Sequence, residues 1–208
     1  MRNILMIISI LFCSIALKGQ TEGEGTLNFN AYGGYSLPAK VRTTGAYIRI
    51  RDGFQYGGGF EYFVADNKSF ELKYLRLGTQ FPLYNTSGIK VNTTNDKGSL
   101  NYILFGGNNY FGKKPDTKIR PFAGMSAGIS ILSALKTRIR FAWDAKVGLR
   151  IIAAPKVSVK CQAFAQSIIS TFGSDYWTYP GGTFLTPKIT ASFQVGLGAI
   201  ICFDISEL

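Results

Sequence analysis

Phe141-Ala142-Trp143-Asp144-Ala145-Lys146-Val147-Gly148-Leu149-Arg150-Ile151-Ile152-Ala153 holds two interleaved sequences. One parity carries Phe141, Trp143, Ala145, Val147, Leu149 and Ile151; the other carries Asp144, Lys146 and Arg150 with Ala142, Gly148 and Ile152. Successive side chains of a β-strand point to opposite faces, whereas a helical stripe recurs every three or four residues, so this pattern predicts a strand with one apolar and one charged face. It is also longer than the roughly 9 to 11 residues that a tilted strand needs to cross a bilayer.

The same alternation runs outward in both directions. From Thr26 to Leu37 the odd positions read Leu27, Phe29, Ala31, Gly33, Tyr35 and Leu37, and similar runs fall near 54–64, 69–80, 99–111, 119–132, 157–168 and 187–203. Together these make eight strands. The phase set by Phe70, Leu72 and Tyr74 breaks at Leu75 and Leu77, which predicts a bulge near Tyr74 to Leu77 or an end to membrane contact there. Ala46 to Arg51 also alternates, and Asp52-Gly53 suits a hairpin turn, which leaves ten strands as an alternative. That stretch is too short to cross a bilayer, so Tyr47 to Arg51 reads as a strand extension or a loop hairpin above it. No helix of three turns is evident after residue 20.

The connections at 38–53, 81–98 and 169–186 are long, those at 65–68, 112–118 and 154–156 are short, and 133–140 is intermediate. Long and short connections therefore fall on opposite ends, the plan of an antiparallel, up-and-down transmembrane β-barrel. A charge on the lipid face costs about 2 to 4 kcal/mol at midplane, so the less apolar parity must face inward. It carries Glu61, Glu71, Lys73, Arg120, Asp144, Lys146, Arg150 and Lys160, with Gln162. Alternation also places Phe63, Phe105, Phe122 and Phe164 inside, and eight strands enclose just enough space for side chains to fill. Gly57, Gly58, Gly59, Gly106, Gly107, Gly196 and Gly198 are read as relieving crowding where a small barrel bends.

Composition agrees. The 208 residues are 46% hydrophobic, 14% aromatic and 17% charged, with 23 basic against 12 acidic side chains and no histidine, which removes His-dependent triads, HExxH zinc sites and His acid/base chemistry. Arg2 followed by the apolar run Ile4 to Ile15 reads as a signal peptide over 1–19, cut between 16 and 20, with 20–208 as a single barrel domain. Cys161 and Cys202 fall on opposite strand faces, so a bridge between them would need the wrong side of a sheet.

On the signal, the strand Leu100-Asn101-Tyr102-Ile103-Leu104-Phe105-Gly106-Gly107, the opening Ile119-Arg120-Pro121-Phe122-Ala123-Gly124 and the final strand, the chain resembles the small outer-membrane β-barrels of Gram-negative bacteria, especially the Bacteroidetes-type porin-like barrels. Gly198, Ile201 and Phe203 look like the Gly-x-x-apolar-x-aromatic signal read by the outer-membrane assembly machinery. Gly196 stands where that signal carries a polar residue, and Asp204 to Leu208 extend past the aromatic. The resemblance implies a place in the bacterial outer membrane with both termini periplasmic.

Candidate chemistry is sparse. Gly124-Met125-Ser126-Ala127-Gly128 matches the GxSxG elbow, but that motif needs a strand-to-helix turn and a His partner. Gly57-Gly58-Gly59 precedes no helix that could cradle a phosphate. Asp144, Lys146, Arg150 and Arg120 are either the polar filling of a small barrel or the lining of a narrow anion path. Lys40, Arg42, Arg49, Arg51, Lys90, Lys97, Lys136, Arg138, Arg140 and Lys188 make a basic outer rim suited to lipopolysaccharide phosphates rather than nucleic acid. The aromatic stretch 172–184 reads as a girdle edge or a binding loop. The expectation is a non-enzymatic integral membrane barrel of structural or surface-interaction role, without cofactor or metal. The alternatives are a narrow porin-like channel for small solutes and a soluble, lipocalin-like ligand-binding barrel.

Overall fold

The computed structural model describes residues 24–43, 46–85, 87–91, 96–112, 118–133, 137–172 and 188–206. The signal and its cleavage region, Lys136 and the 173–184 part of the aromatic stretch lie outside them. The strands are β1 (Leu27–Ser36), β2 (Ala39–Thr43), β3 (Ala46–Ile50), β4 (Gly53–Ala65), β5 (Lys68–Gln80), β6 (Leu83–Asn85), β7 (Lys97–Tyr110), β8 (Ile119–Ser133), β9 (Thr137–Ala154), β10 (Val157–Phe172) and β11 (Lys188–Asp204). Eight of these close a barrel in the order β1-β11-β10-β9-β8-β7-β5-β4, all neighbours antiparallel. Closure is made by β1 on β11, from Asn28 opposite Asp204 to Ser36 opposite Gly196. The ten-strand alternative gives way, because β2, β3 and β6 form a separate three-stranded sheet.

That small sheet is the upper edge of the barrel wall bent over. β2 follows β1, β3 precedes β4 and β6 follows β5, so the order β2-β3-β6 repeats the wall order β1-β4-β5. Pro38 and Pro82 stand at two of the breaks, where a residue without an N–H leaves the ladder at no loss. The backbone keeps contact across the bend: Arg51 N donates to Gln80 O and Arg49 N to Pro82 O, each at 3.0 Å. The underside, Ala39, Val41, Ile48, Ile50 and Leu83, joins Phe81, Leu75, Leu77, Leu100, Leu132 and Ile168 in one buried cluster. The expectation of a strand extension or hairpin at Tyr47 to Arg51 describes β3, but Asp52-Gly53 is not a hairpin turn. β3 pairs with β2 and β6 and not with β4. The chain crosses the bend there, and the Asp52 carboxylate accepts the Tyr35 hydroxyl.

Four other expectations are corrected. β5 alternates without interruption, with Ser69, Glu71, Lys73, Leu75, Leu77 and Thr79 all buried, so Leu75 and Leu77 mark no bulge. The lumen itself turns apolar there because the bent sheet covers it; the irregularity between β4 and β5 lies at Phe63/Ala65, beside the Asp66-Asn67 turn. Phe105 faces outward, 57% exposed and stacked on Phe70 at 5.8 Å, whereas Phe63, Phe122 and Phe164 are buried. Around Phe105 both parities of β7 are apolar, so alternation alone does not say which faces in. Finally, β9 begins at Thr137 and pairs it with Ser133, which reduces the 133–140 connection to three residues, 134–136. Gly58 and Gly107 lie on the roomier outer side and relieve no crowding.

Much of the exterior is apolar. Phe54, Tyr56, Phe60, Leu72, Val147 and Leu197 are each close to half exposed or more. A soluble barrel keeps such side chains inside; a continuous apolar exterior of this size is stable in hydrocarbon.

Candidate functional site

Lumenal side chains are sorted along the barrel axis. Towards the loop end the interior is the apolar cluster under the bent sheet. Towards the end carrying the termini it is charged, and Glu61, Glu71, Lys73, Arg120, Asp144, Lys146, Arg150 and Lys160 are all buried there. Three acids face five bases in a space closed to bulk water, where an isolated ionised group is costly and only hydrogen-bonded pairs persist.

Two centres organise these charges. Glu61, on β4, accepts from Ser69 Oγ at 2.5 Å, Tyr110 hydroxyl at 2.5 Å, Asn108 Nδ2 at 2.8 Å, Asn30 Nδ2 at 3.2 Å and the Lys160 ammonium. Glu71, on β5, accepts the Lys146 ammonium and the Tyr32 hydroxyl at 2.5 Å, and lies 3.6 Å from Lys73 Nζ. Lys73 in turn donates to Asp144 at 2.5 Å. Donors thus arrive from β1, β5, β7, β9 and β10, so the two carboxylates tie most of the barrel wall together through its middle.

Below them three of the cations also rest on aromatic faces. Phe63, Tyr110 and Phe122 form a buried cluster, with ring centroids 5.3 Å and 5.7 Å apart in sequence. The Arg150 guanidinium lies 5.0 Å from the Phe63 ring centre, the Lys160 ammonium 5.4 Å from that of Tyr110, and the Arg120 guanidinium 5.4 Å from Tyr110. Such contacts contribute about 0.5 to 2 kcal/mol each. Arg120 also donates to Asp66 O at 2.8 Å, and Arg150 to Ser158 Oγ at 2.9 Å. Beside Asp144 lies an amide group in which Gln55 Nε2 donates to Gln166 Oε1 at 3.1 Å and Gln166 Nε2 to the Tyr102 hydroxyl at 3.3 Å.

The structure therefore adds Asn30, Tyr32, Ser69, Asn108 and Tyr110 to the charged residues expected from the sequence. Each lies on the inward parity of its strand, which is the signal that could have found it. A cavity of about 20 Å³ remains among Tyr32, Gln55, Asp144, Gln162 and Phe164, the size of a single water. Ser126 is buried in the middle of β8 and faces this lumen rather than standing on a strand-to-helix elbow. Cys161 is exposed on the outer wall and Cys202 buried inside it, so the two thiols stand on opposite faces and are free. Of the last-strand motif, Gly198 lies inward, and Ile201 outward opposite Ala31 and Val159.

A closed eight-stranded antiparallel barrel with an apolar exterior and a filled, ion-paired interior is the class that fold and lumen define. No protein family's sequence pattern matches the chain, and no curated protein matches it. Solved structures do. The outer membrane protein OprG from Pseudomonas aeruginosa is 11% identical with a TM-score of 0.61, over 89% of this chain and 99% of that one. Neisserial surface protein A is 16% identical with a TM-score of 0.54, over 86% and 99%. The outer membrane protein AlkL, solved in lipid bilayers, is 12% identical with a TM-score of 0.52, over 92% and 96%. The fold is that of the eight-stranded outer-membrane barrels.

Proposed function

We propose that this chain is a non-catalytic integral protein of the outer membrane of a Gram-negative, Bacteroidetes-type bacterium, closed to solutes and acting as a structural or surface-interaction element. The observation that carries this reading is the lumen: paired charges fill one half, an apolar cluster under the bent sheet fills the other, and the cavity between them holds about 20 Å³. The chain contains no histidine to activate Ser126, which supports the absence of catalysis. Purified wild-type protein should give no stable channels in a planar bilayer. Asp144→Ala should lower its unfolding temperature in detergent and leave conductance at background.

A narrow channel is the second reading, favoured by one observation. Asp144 Oδ1, Ser126 Oγ and Gln162 Oε1 are buried without a protein partner, and water satisfies such groups in folded proteins. Under that reading the bases outnumber the acids along a wet path. Wild-type channels that select anions, more strongly in Asp144→Ala, would establish it and overturn the closed barrel.

Residues 1–19 act as the export signal in this proposal, with outer-membrane lipid around the apolar wall and lipopolysaccharide phosphates beside the basic rim. Gly198, Ile201 and Phe203 serve the outer-membrane assembly machinery, a reading supported by the position of β11 as the closing strand. The long connections face outward and the termini the periplasm. A protease site inserted at Asn92 to Asp96 or Gly173 to Asp175 should then be cut on intact cells, and one at Asp66 to Lys68 should survive. The reverse pattern would invert the topology.

A further inference from the structure

The bent sheet has a second face. Its underside is apolar and buried, while the upper side carries Lys40 on β2, Tyr47 and Arg49 on β3 and Tyr84 on β6, with Arg51 just beyond β3. Lys40 and Arg49 are direct cross-strand partners, both exposed. Like charges placed opposite one another on a sheet repel, so this arrangement disfavours the free protein. The nearby Asp52 carboxylate is engaged by the Tyr35 hydroxyl, and that hydrogen bond, with a smaller contribution from Arg49 and Arg51, holds its carboxyl below the usual carboxylate range. Beside the cations, Tyr47 and Tyr84 stack at 5.1 Å with an interplanar angle of 12°, and the Lys40 ammonium lies 5.5 Å from the Tyr47 ring centre.

We infer that this upper face is a docking site for an anionic polysaccharide outside the membrane. Charge complementarity requires a polyanion: a ligand whose acidic groups sit between Lys40 and Arg49, and beside Arg51, turns a repulsive pair into a bridged one. The stacked tyrosines require more than charge. Tyr47 is held between Tyr84 and the Lys40 ammonium, and the partly exposed Tyr84 at the end of this stack offers the ring on which the C–H face of a sugar rests while its acidic substituents reach the basic groups. Because the underside of the sheet covers the lumen, the upper face looks away from the barrel. It meets long-chain ligands from outside rather than the lipids around the wall.

The site rests on the surface-interaction reading above, and its test is independent of whether the barrel conducts. The mature protein in non-ionic detergent is titrated with dextran sulfate, unsulfated dextran and inorganic polyphosphate. Dextran sulfate should bind in a salt-sensitive manner and unsulfated dextran should not. Lys40→Gln/Arg49→Gln should weaken dextran sulfate at least tenfold. Tyr84→Leu should weaken it severalfold and leave polyphosphate, which has no ring to stack, unchanged. Lys68→Gln/Lys118→Gln, at the other end of the barrel, should bind as wild type does. The site is overturned by a double variant that binds like wild type, by an equal loss in Lys68→Gln/Lys118→Gln, or by polyphosphate binding as tightly as dextran sulfate with neither sensitive to Tyr84. Failure here with silent bilayers would remove the docking site and leave the closed barrel standing.

Discussion

Glu61→Ala is expected to be the most damaging substitution of a charged residue in this protein. Its carboxylate receives hydrogen bonds from Asn30, Ser69, Asn108 and Tyr110 as well as from Lys160, and every one of these donors is buried. Removing it strands an ammonium and several polar groups away from water, a loss of about 3 to 5 kcal/mol for the broken pair alone. Asp144→Ala should cost less, because Lys73 keeps Glu71 within 3.6 Å after Asp144 is gone. The unfolding temperature of folded protein, followed by its heat-dependent migration on gels, ranks the two. Equal temperatures for Glu61→Ala and wild type would mean that water reaches this carboxylate, and the closed lumen would be wrong.

A second large effect needs no charge. Gly106 sits on β7 opposite Ser126, and a Cβ built there falls 2.0 Å from the Met125 carbonyl oxygen and 2.4 Å from Ser126 Cα. Both are backbone atoms of the neighbouring strand, so no rotamer change relieves the clash. Gly106→Val should therefore separate β7 from β8, at more than the ~1 to 3 kcal/mol usual for overpacking, and abolish the heat-modifiable folded form. Gly33→Val is the matched control, since a Cβ at Gly33 meets nothing within 4 Å. Folded protein from both variants, or from neither, would show that crowding inside this wall does not decide its closure.

How much of this was legible beforehand depended on whether the two faces of a strand differ. In β9 they differ at nearly every step, and Asp144, Lys146 and Arg150 declare their side. In β7 around Leu104 and Phe105 they do not, because the lumen there is as apolar as the outer wall. The same cause hid Leu75 and Leu77: what makes their surroundings dry is a sheet formed by β2, β3 and β6, whose packing on the lumen no local pattern expresses. The charged residues could be assigned to the interior, but not to partners. Glu61 meets Lys160 from 99 positions along the chain, a pairing that depends on register and strand tilt together. The Lys40 and Arg49 pairing was hidden for a simpler reason, since a basic rim read as a composition does not reveal which charges stand face to face.

The bend in the wall also sets an order of events. β2, β3 and β6 belong to the first half of the chain, yet the apolar bed beneath them includes Leu132 of β8, Ala142 of β9 and Ile168 of β10, and β2 packs against β11. That bed exists only once the last strand has met the first. Contacts between such distant parts of a chain form late, after the cost of closing the long intervening loops has been met. The barrel is therefore expected to close with its upper end open, the folding down of its own rim coming last.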